Sequence, residues 1–369
     1  MKKFLILIIA LFMQFCFVFA DELSNNAILP SQKAIIENVN YVEIPQGEET
    51  QIKQTANIRF LSGEFKGEKA IVDNMLTGNP YYDIKLKKGM KVIIHVEKDE
   101  FGDYNFSIED CHRSGMLIFL SILFGGLLIY VGKKKGIFSL LSIFLTCVLI
   151  YNFLSPMILA GFEPIFATIL ICILSTMITM YTVGGFNKKS TSATLGCTLS
   201  IIFALILSMI TVKFANLTGY TSENTMFLYT SHPELNIISI AVASMLLATL
   251  GAVMDVAMSI ASTINEIFTI DNTKTVKELF KSGMNVGRDI IGTMANTLIL
   301  VYLGGSLPLL LLVSNIDLQK FFNLNQVVTE IASALIGSCS IVICVPITAL
   351  VAANLVKIKK SENIEKILD

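Results

Sequence analysis

Two stretches of this chain set acids, hydroxyls and amides at helical spacing inside otherwise apolar sequence. From Ala241 to Glu266, Ser244, Ala248, Gly251 or Ala252, Asp255, Ser259, Ser262 and Glu266 recur at steps of three and four. Such steps place them on one stripe of an α-helix. Asp289, Gly292 or Thr293, Asn296 and Thr297 repeat the pattern further on. Carboxylate, hydroxyl and amide oxygens are hard donors, suited to a cation or proton, or to hydrogen bonds with a polar solute. If the two helices pack antiparallel, Asp255 and Ser259 reach the depth of Asp289, Thr293 and Asn296. Asp255, Ser259, Ser262, Asp289, Thr293 and Asn296 are therefore the candidates for binding an ion or ligand. The competing reading is a structural clamp in which Arg288 pairs with Asp255. On that reading the small polar residues are packing glue between helices, worth only about 0.6 kcal/mol each. Glu330 reads as an interfacial acid, with a gate or solute contact as its alternative, and Gly304-Gly305-Ser306-Leu307-Pro308 interrupts an apolar run.

Other chemistries find little support. The three histidines, His95, His112 and His232, all fall outside the apolar runs. A serine–histidine dyad inside a span would thus lack its base, and no spacing resembles a zinc site. No glycine-rich phosphate loop with a following lysine marks ATP hydrolysis. Asp255 and Asp289 could pair as in an aspartate protease, but neither has the flanking residues of that chemistry. The expectation is no enzyme, no metal and no cofactor, with an intramembrane enzyme kept as the third reading.

The elements that must hold these residues follow from composition. Of the 369 residues 53% are hydrophobic and only 15% charged, with mean hydropathy +0.67, against about a quarter charged in soluble domains. Apolar runs at 114–132, 136–154, 164–185, 193–214, 236–262, 290–313 and 327–356 each approach or exceed the ~20 residues that cross a bilayer. Net charge is −1, which excludes a strongly basic nucleic-acid binder. The placement of charge is more informative. Lys133, Lys134, Lys135, Lys188, Lys189, Lys274, Lys277, Lys281, Arg288, Lys357, Lys359 and Lys360 all fall on one side of a seven-span topology, whereas the other side has Arg113, Lys213 and Lys320. Basic connections stay in the cytoplasm, so the region before the first span is expected outside and the tail, 357–369, inside.

Residues 1–20 have the layout of a signal peptide, Met1-Lys2-Lys3 before an apolar run, or of an uncleaved signal anchor. Residues 21–113 are polar and strand-like: Lys91 to Val96 reads as a buried strand, Tyr82 to Lys87 alternates, and Ser62 to Gly67 supplies turn residues. A small all-β barrel or sandwich is expected, held without an internal disulfide because Cys111 is its only thiol. The fold class is thus a polytopic α-helical membrane protein, about seven transmembrane helices after a signal segment (114–356), with a small exported β domain. Thr275 to Phe280 reads as a short amphipathic helix at the bilayer surface.

Three strings resemble the signature segments of the YibE/F-like family of bacterial multi-pass membrane proteins: Gly251 to Ser262, Gly287 to Leu300, and Gly337 through Pro346 to Ala349. Tyr181 to Gly196 is similar to the family's basic cytoplasmic turn. The exported part, with Gly63, Gly67, Asn74, Gly78 and Gly89, is similar to the N-terminal region of its YibE-type members. The resemblance implies a bacterial plasma-membrane location and this topology; it implies no activity. The leading expectation is a permease for an ion or small polar solute. The rival is a non-transport envelope factor whose β domain binds a wall or secreted partner. Expected partners are the lipid bilayer and a second copy or a related membrane subunit, with no nucleic acid.

Overall fold

The computed structural model describes residues 31–46, 49–98, 103–311, 313 and 316–368, and side chains throughout these except at 44–51 and 358–368. The signal segment, 1–20, lies outside the described residues. The chain divides into two compact units, with the boundary between Leu127 and Leu128.

The first unit is built on strands β1 (Gln32–Gln46), β2 (Glu49–Phe60), β3 (Lys69–Leu76), β4 (Lys91–Lys98) and β5 (Tyr104–Cys111). All pairings are antiparallel, in the order β3-β2-β1-β4-β5. Long β1 serves two neighbours, and a bulge between Ile36 and Asn38 bends it away from the flat. Edges β3 and β5 approach one another, giving a five-stranded, partly open Greek-key barrel. Every second residue points inward: Ala34 and Ile36, Ala56, Ile58 and Phe60, Val92, Ile94 and Val96 form the core. The rings of Phe65 and Phe106 pack at a tilt against Phe60, with centroids 5.7 and 5.2 Å away.

The alternating stretch Tyr82 to Lys87 is not a ladder strand. Side chains answer its backbone instead. Asn74 donates to the Ile84 carbonyl at 2.7 Å, and the Leu86 amide donates to the buried Gln54 side chain at 3.1 Å. Alternation records which side chains go inward, and here Leu86 does so without a strand partner.

The second unit is helical. Its elements are α1 (Ser114–Leu149, running back into the first unit), a π turn (Ile150–Leu154), α2 (Ser155–Leu159), α3 (Pro164–Gly184), α4 (Lys188–Phe214), α5 (Glu223–Ser231), α6 (Ile237–Ile270), α7 (Val276–Gly305), α8 (Leu307–Leu311), α9 (Leu318–Phe321) and α10 (Asn325–Leu368). Among the described residues, six helices are long and apolar enough to cross a membrane. The first, Ser114–Leu159, has 46 residues, which at 1.5 Å per residue would be about 69 Å, over twice the hydrocarbon thickness. Its backbone leaves the helix at Lys133 (φ 50°, ψ −129°), and the chain folds back so that a Cβ on Gly136 would strike the Leu128 carbonyl. The break divides this helix into two lengths, 114–132 and 134–159.

Local signals set the helix ends. Glu163 caps α3, accepting the Phe166 amide at 2.8 Å with Pro164 behind it. Thr275 and Glu278 form a reciprocal capping box, so the amphipathic stretch expected as a separate surface helix is the first turn of α7. α6 and α10 form the centre of the unit, α6 contacting α3, α4, α7 and α10. Glycine permits the closest approaches: a Cβ on Gly287 would collide with Val345, and one on Gly196 with Thr348.

Candidate functional site

α6 is two-faced. Val253, Val256, Ala257 and Ile260 are 0% exposed, turned toward the neighbouring helices, whereas Ser244, Ala248, Gly251, Asp255, Ser259 and Glu266 lie on its open side, with Ser262 half-buried. On α7, Gly283, Gly287 and Leu298 are buried, and Arg288, Asp289, Thr293, Asn296 and Thr297 are exposed.

Glycine contacts give the relative depth of the two helices. Gly287 sits against Ile260, Gly283 against Ile264, and Leu298 meets Thr249 around Gly337. α6 and α7 are therefore antiparallel, and Asp255 comes level with Gly292 and Thr293. At 100° per residue from these contacts, Asp255 and Ser259 fall on the same outer flank of the α6–α7 pair as Thr293 and Asp289. Asp255, Ser259, Asp289 and Thr293 are brought to one flank within about 8 Å of depth, not into a shared interior cavity, and Asn296 and Ser262 lie about a turn beyond them at either end. Among the described residues, no ion pair involves Asp255, Asp289 or Arg288, so the Arg288–Asp255 clamp is not formed.

The hydroxyls use their protons locally. Ser259 donates to the Asp255 carbonyl at 2.8 Å, Thr293 to the Ile290 carbonyl at 3.1 Å and Thr297 to the Thr293 carbonyl at 2.9 Å. What they leave facing outward is acceptor lone pairs.

At its other end the α6 stripe enters a cleft. Ser244 and Ala248 line a space of about 210 Å³ together with Tyr302 of α7 and Thr329, Glu330 and Ser333 of α10. The connection before α5, together with the first turn of that helix, walls it with Gly219, Thr221 and Thr225. That wall is built rather than loose. The Asn325 side chain accepts the Thr218 amide at 3.2 Å and donates to the Tyr220 carbonyl at 2.8 Å. Gly219, at φ +81°, packs so closely on the Ile237 carbonyl that a Cβ would come within 2.7 Å of it. Glu330 was visible as an acid at the start of a span. Tyr302, Thr329, Ser333, Thr221 and Thr225 were not singled out, because only the meeting of α6, α7, α10 and this connection makes them neighbours. Among the described residues, no three metal-ligating side chains gather.

Outside the spans, the ion pairs among the described residues lie at the surface. On the β barrel, hydrogen bonds from Lys69 (2.7 Å) and Arg59 (2.8 Å) hold the Glu37 carboxyl below its ordinary range. Arg113, at 2.6 Å, does the same for Asp110.

Compared with known proteins, residues 120–358 match the family model described as YibE/F-like protein, and residues 32–111 match the YibE/F family N-terminal domain. No curated protein and no solved structure matches the chain.

Proposed function

The chain belongs to the YibE/F-like family of multi-pass membrane proteins, and from that premise we propose that it is a permease for an ion or small polar solute. One observation carries the reading. The polar stripe of α6 runs from Ser244 to Glu266, 22 residues on, or about 33 Å at 1.5 Å per residue, the thickness of the hydrocarbon layer. Carboxylates and hydroxyls at such depth are costly against lipid and mark solute or ion pathways. The track begins in the Glu330 cleft, passes Ala248 and Gly251, and reaches Asp255 and Ser259, with Thr293, Asp289 and Asn296 beside it on α7.

In this reading the lysine-rich connections lie in the cytoplasm of a bacterium and residues 32–111 lie outside its plasma membrane. The outer flank of α6 and α7 is covered by a second copy or a related membrane subunit, since bare lipid would leave its acids unanswered.

The test is osmotic swelling of proteoliposomes, followed by light scattering in isosmotic panels of salts and small neutral solutes. Wild type should swell in at least one of them. Ala248→Phe, which blocks the track without touching an acid, should cut that rate at least tenfold. Unchanged swelling by a folded Ala248→Phe protein would remove α6 as the path.

A second reading is favoured by the β barrel. Tyr81 and Tyr82 stand adjacent and edge-to-face, 77% and 66% exposed, and such aromatic residues suit partner recognition. If deleting 30–110 abolishes a cellular phenotype that Asp255→Asn and Asp289→Asn leave intact, the envelope-factor reading replaces the permease.

A further inference from the structure

We propose that the cleft at the start of α10 binds a small organic cation, a protonated amine carrying an apolar group. The inference deepens the permease reading by naming the class of solute, and its test reads binding without transport.

Charge comes first. Glu330 is half-buried, no ion pair among the described residues includes it, and no basic side chain lines the space on either side of it. Tyr302 is the other titratable side chain lining both spaces. A carboxylate in that setting calls for a cation.

The hydroxyls select the same kind of ligand. Thr329 donates to the Asn325 carbonyl at 2.7 Å, Ser333 to the Thr329 carbonyl at 2.8 Å, and Ser244 to the Ile240 carbonyl at 3.0 Å. Thr225 is spent on its own turn, donating to the Ser222 carbonyl at 2.7 Å and accepting the Thr221 and Ser222 amides at 3.2 and 3.1 Å. With their protons committed to backbone, Thr329, Ser333 and Ser244 offer acceptors to the cleft. An ammonium, which has only donors, fits such a lining; an anion does not. The Tyr302 ring adds a face of the kind that attracts cations.

Size and polarity argue for an organic cation over a bare metal ion. The cleft holds about 210 Å³, whereas a water occupies ~30 Å³ and a 150 Å³ cavity takes benzene. A single inorganic ion would leave most of the space unfilled. Beyond Glu330 and Tyr302 lies a second space of about 230 Å³, apolar and lined by Ile299, Leu303, Phe321, Val327, Ile331 and Leu335. An amine at Glu330 can send its alkyl or aryl part there.

The experiment is equilibrium binding of tritiated 2-phenylethylamine to the full-length protein in nanodiscs of zwitterionic lipid at neutral pH. Saturable binding is expected, displaced by other primary alkylamines but not by 2-phenylethanol or sodium chloride. Glu330→Gln should weaken it at least tenfold. Should that variant fail to fold, Ala248→Leu fills the cleft from α6 and should do the same. Absence of saturable binding, wild-type affinity in the folded variants, or equal displacement by sodium or by the alcohol would each overturn the proposal. Amine binding without swelling would sink the permease and leave the site standing; swelling without amine binding would do the reverse.

Discussion

Glu37 sits at the junction of two cations on the outer face of the barrel, with Lys69 and Arg59 both donating to it. Its carboxyl is held below the ordinary glutamate range by those hydrogen bonds. A depressed carboxylate adds stability that is present above its unfolded value, ~4.3, and is lost as pH falls through the lower folded value. Protection factors of the β1 and β2 amides, corrected for the intrinsic pH dependence of exchange, should therefore fall as the medium is acidified below about pH 4. In Glu37→Gln that acid-dependent component should disappear, and an identical acid profile in the variant would refute the assignment. The side chain is partly exposed and screened, so the contribution is small even where it is fully present, at neutral pH. Asp255 and Asp289 present the opposite case: acids within apolar helices, on the open flank of α6 and α7, with no cation pairing among the described residues.

At the scale of elements, one residue divides the longest membrane-length helix, Ser114–Leu159. Lys133 adopts φ 50° and ψ −129°, a region that essentially only glycine occupies without strain of order 1–3 kcal/mol. Lys133→Gly should be more stable than Lys133→Ala by about 1 kcal/mol, because glycine has no Cβ to clash. Thermal unfolding of the two variants in one detergent decides it; equal melting temperatures would mean that the chain does not turn at this residue. The capping box at Thr275 and Glu278 is the complementary lesson. Its residues were legible in the sequence, but read as a separate surface helix, because a polar first turn looks alike whether the helix stops or continues into the bilayer. The run Tyr82 to Lys87 went the other way: its period-two pattern was real, yet Gln54 and Asn74 took the hydrogen bonds that a strand neighbour would have supplied.

For the whole molecule, the charge distribution predicts which surface each connection occupies. Single cysteines placed at Thr273 and at Thr221, in a background freed of native thiols, should label from opposite sides of sealed membrane vesicles. Thr273 should react from the cytoplasmic face and Thr221 from the outer one. Reaction of both from one side would break the topology and the α6 path with it.

Sequence alone determined that this is a membrane chain with a small β domain ahead of its apolar runs, how many such runs it has, and which acids lie within them. Each of these is a local property, since hydrocarbon thickness fixes run length and a buried charge stands out wherever it falls. The family matches over 32–111 and 120–358 agree with that division. Only the tertiary structure decided which acids have company. Asp255 and Asp289 share a depth and a flank because Gly287 lets α7 close on Ile260. Glu330 gains Tyr302 and Ser244 because three helices, distant in sequence, open into one cleft there. Helix rotation is set by close packing among all the neighbours at once, and no single stretch of sequence contains that information.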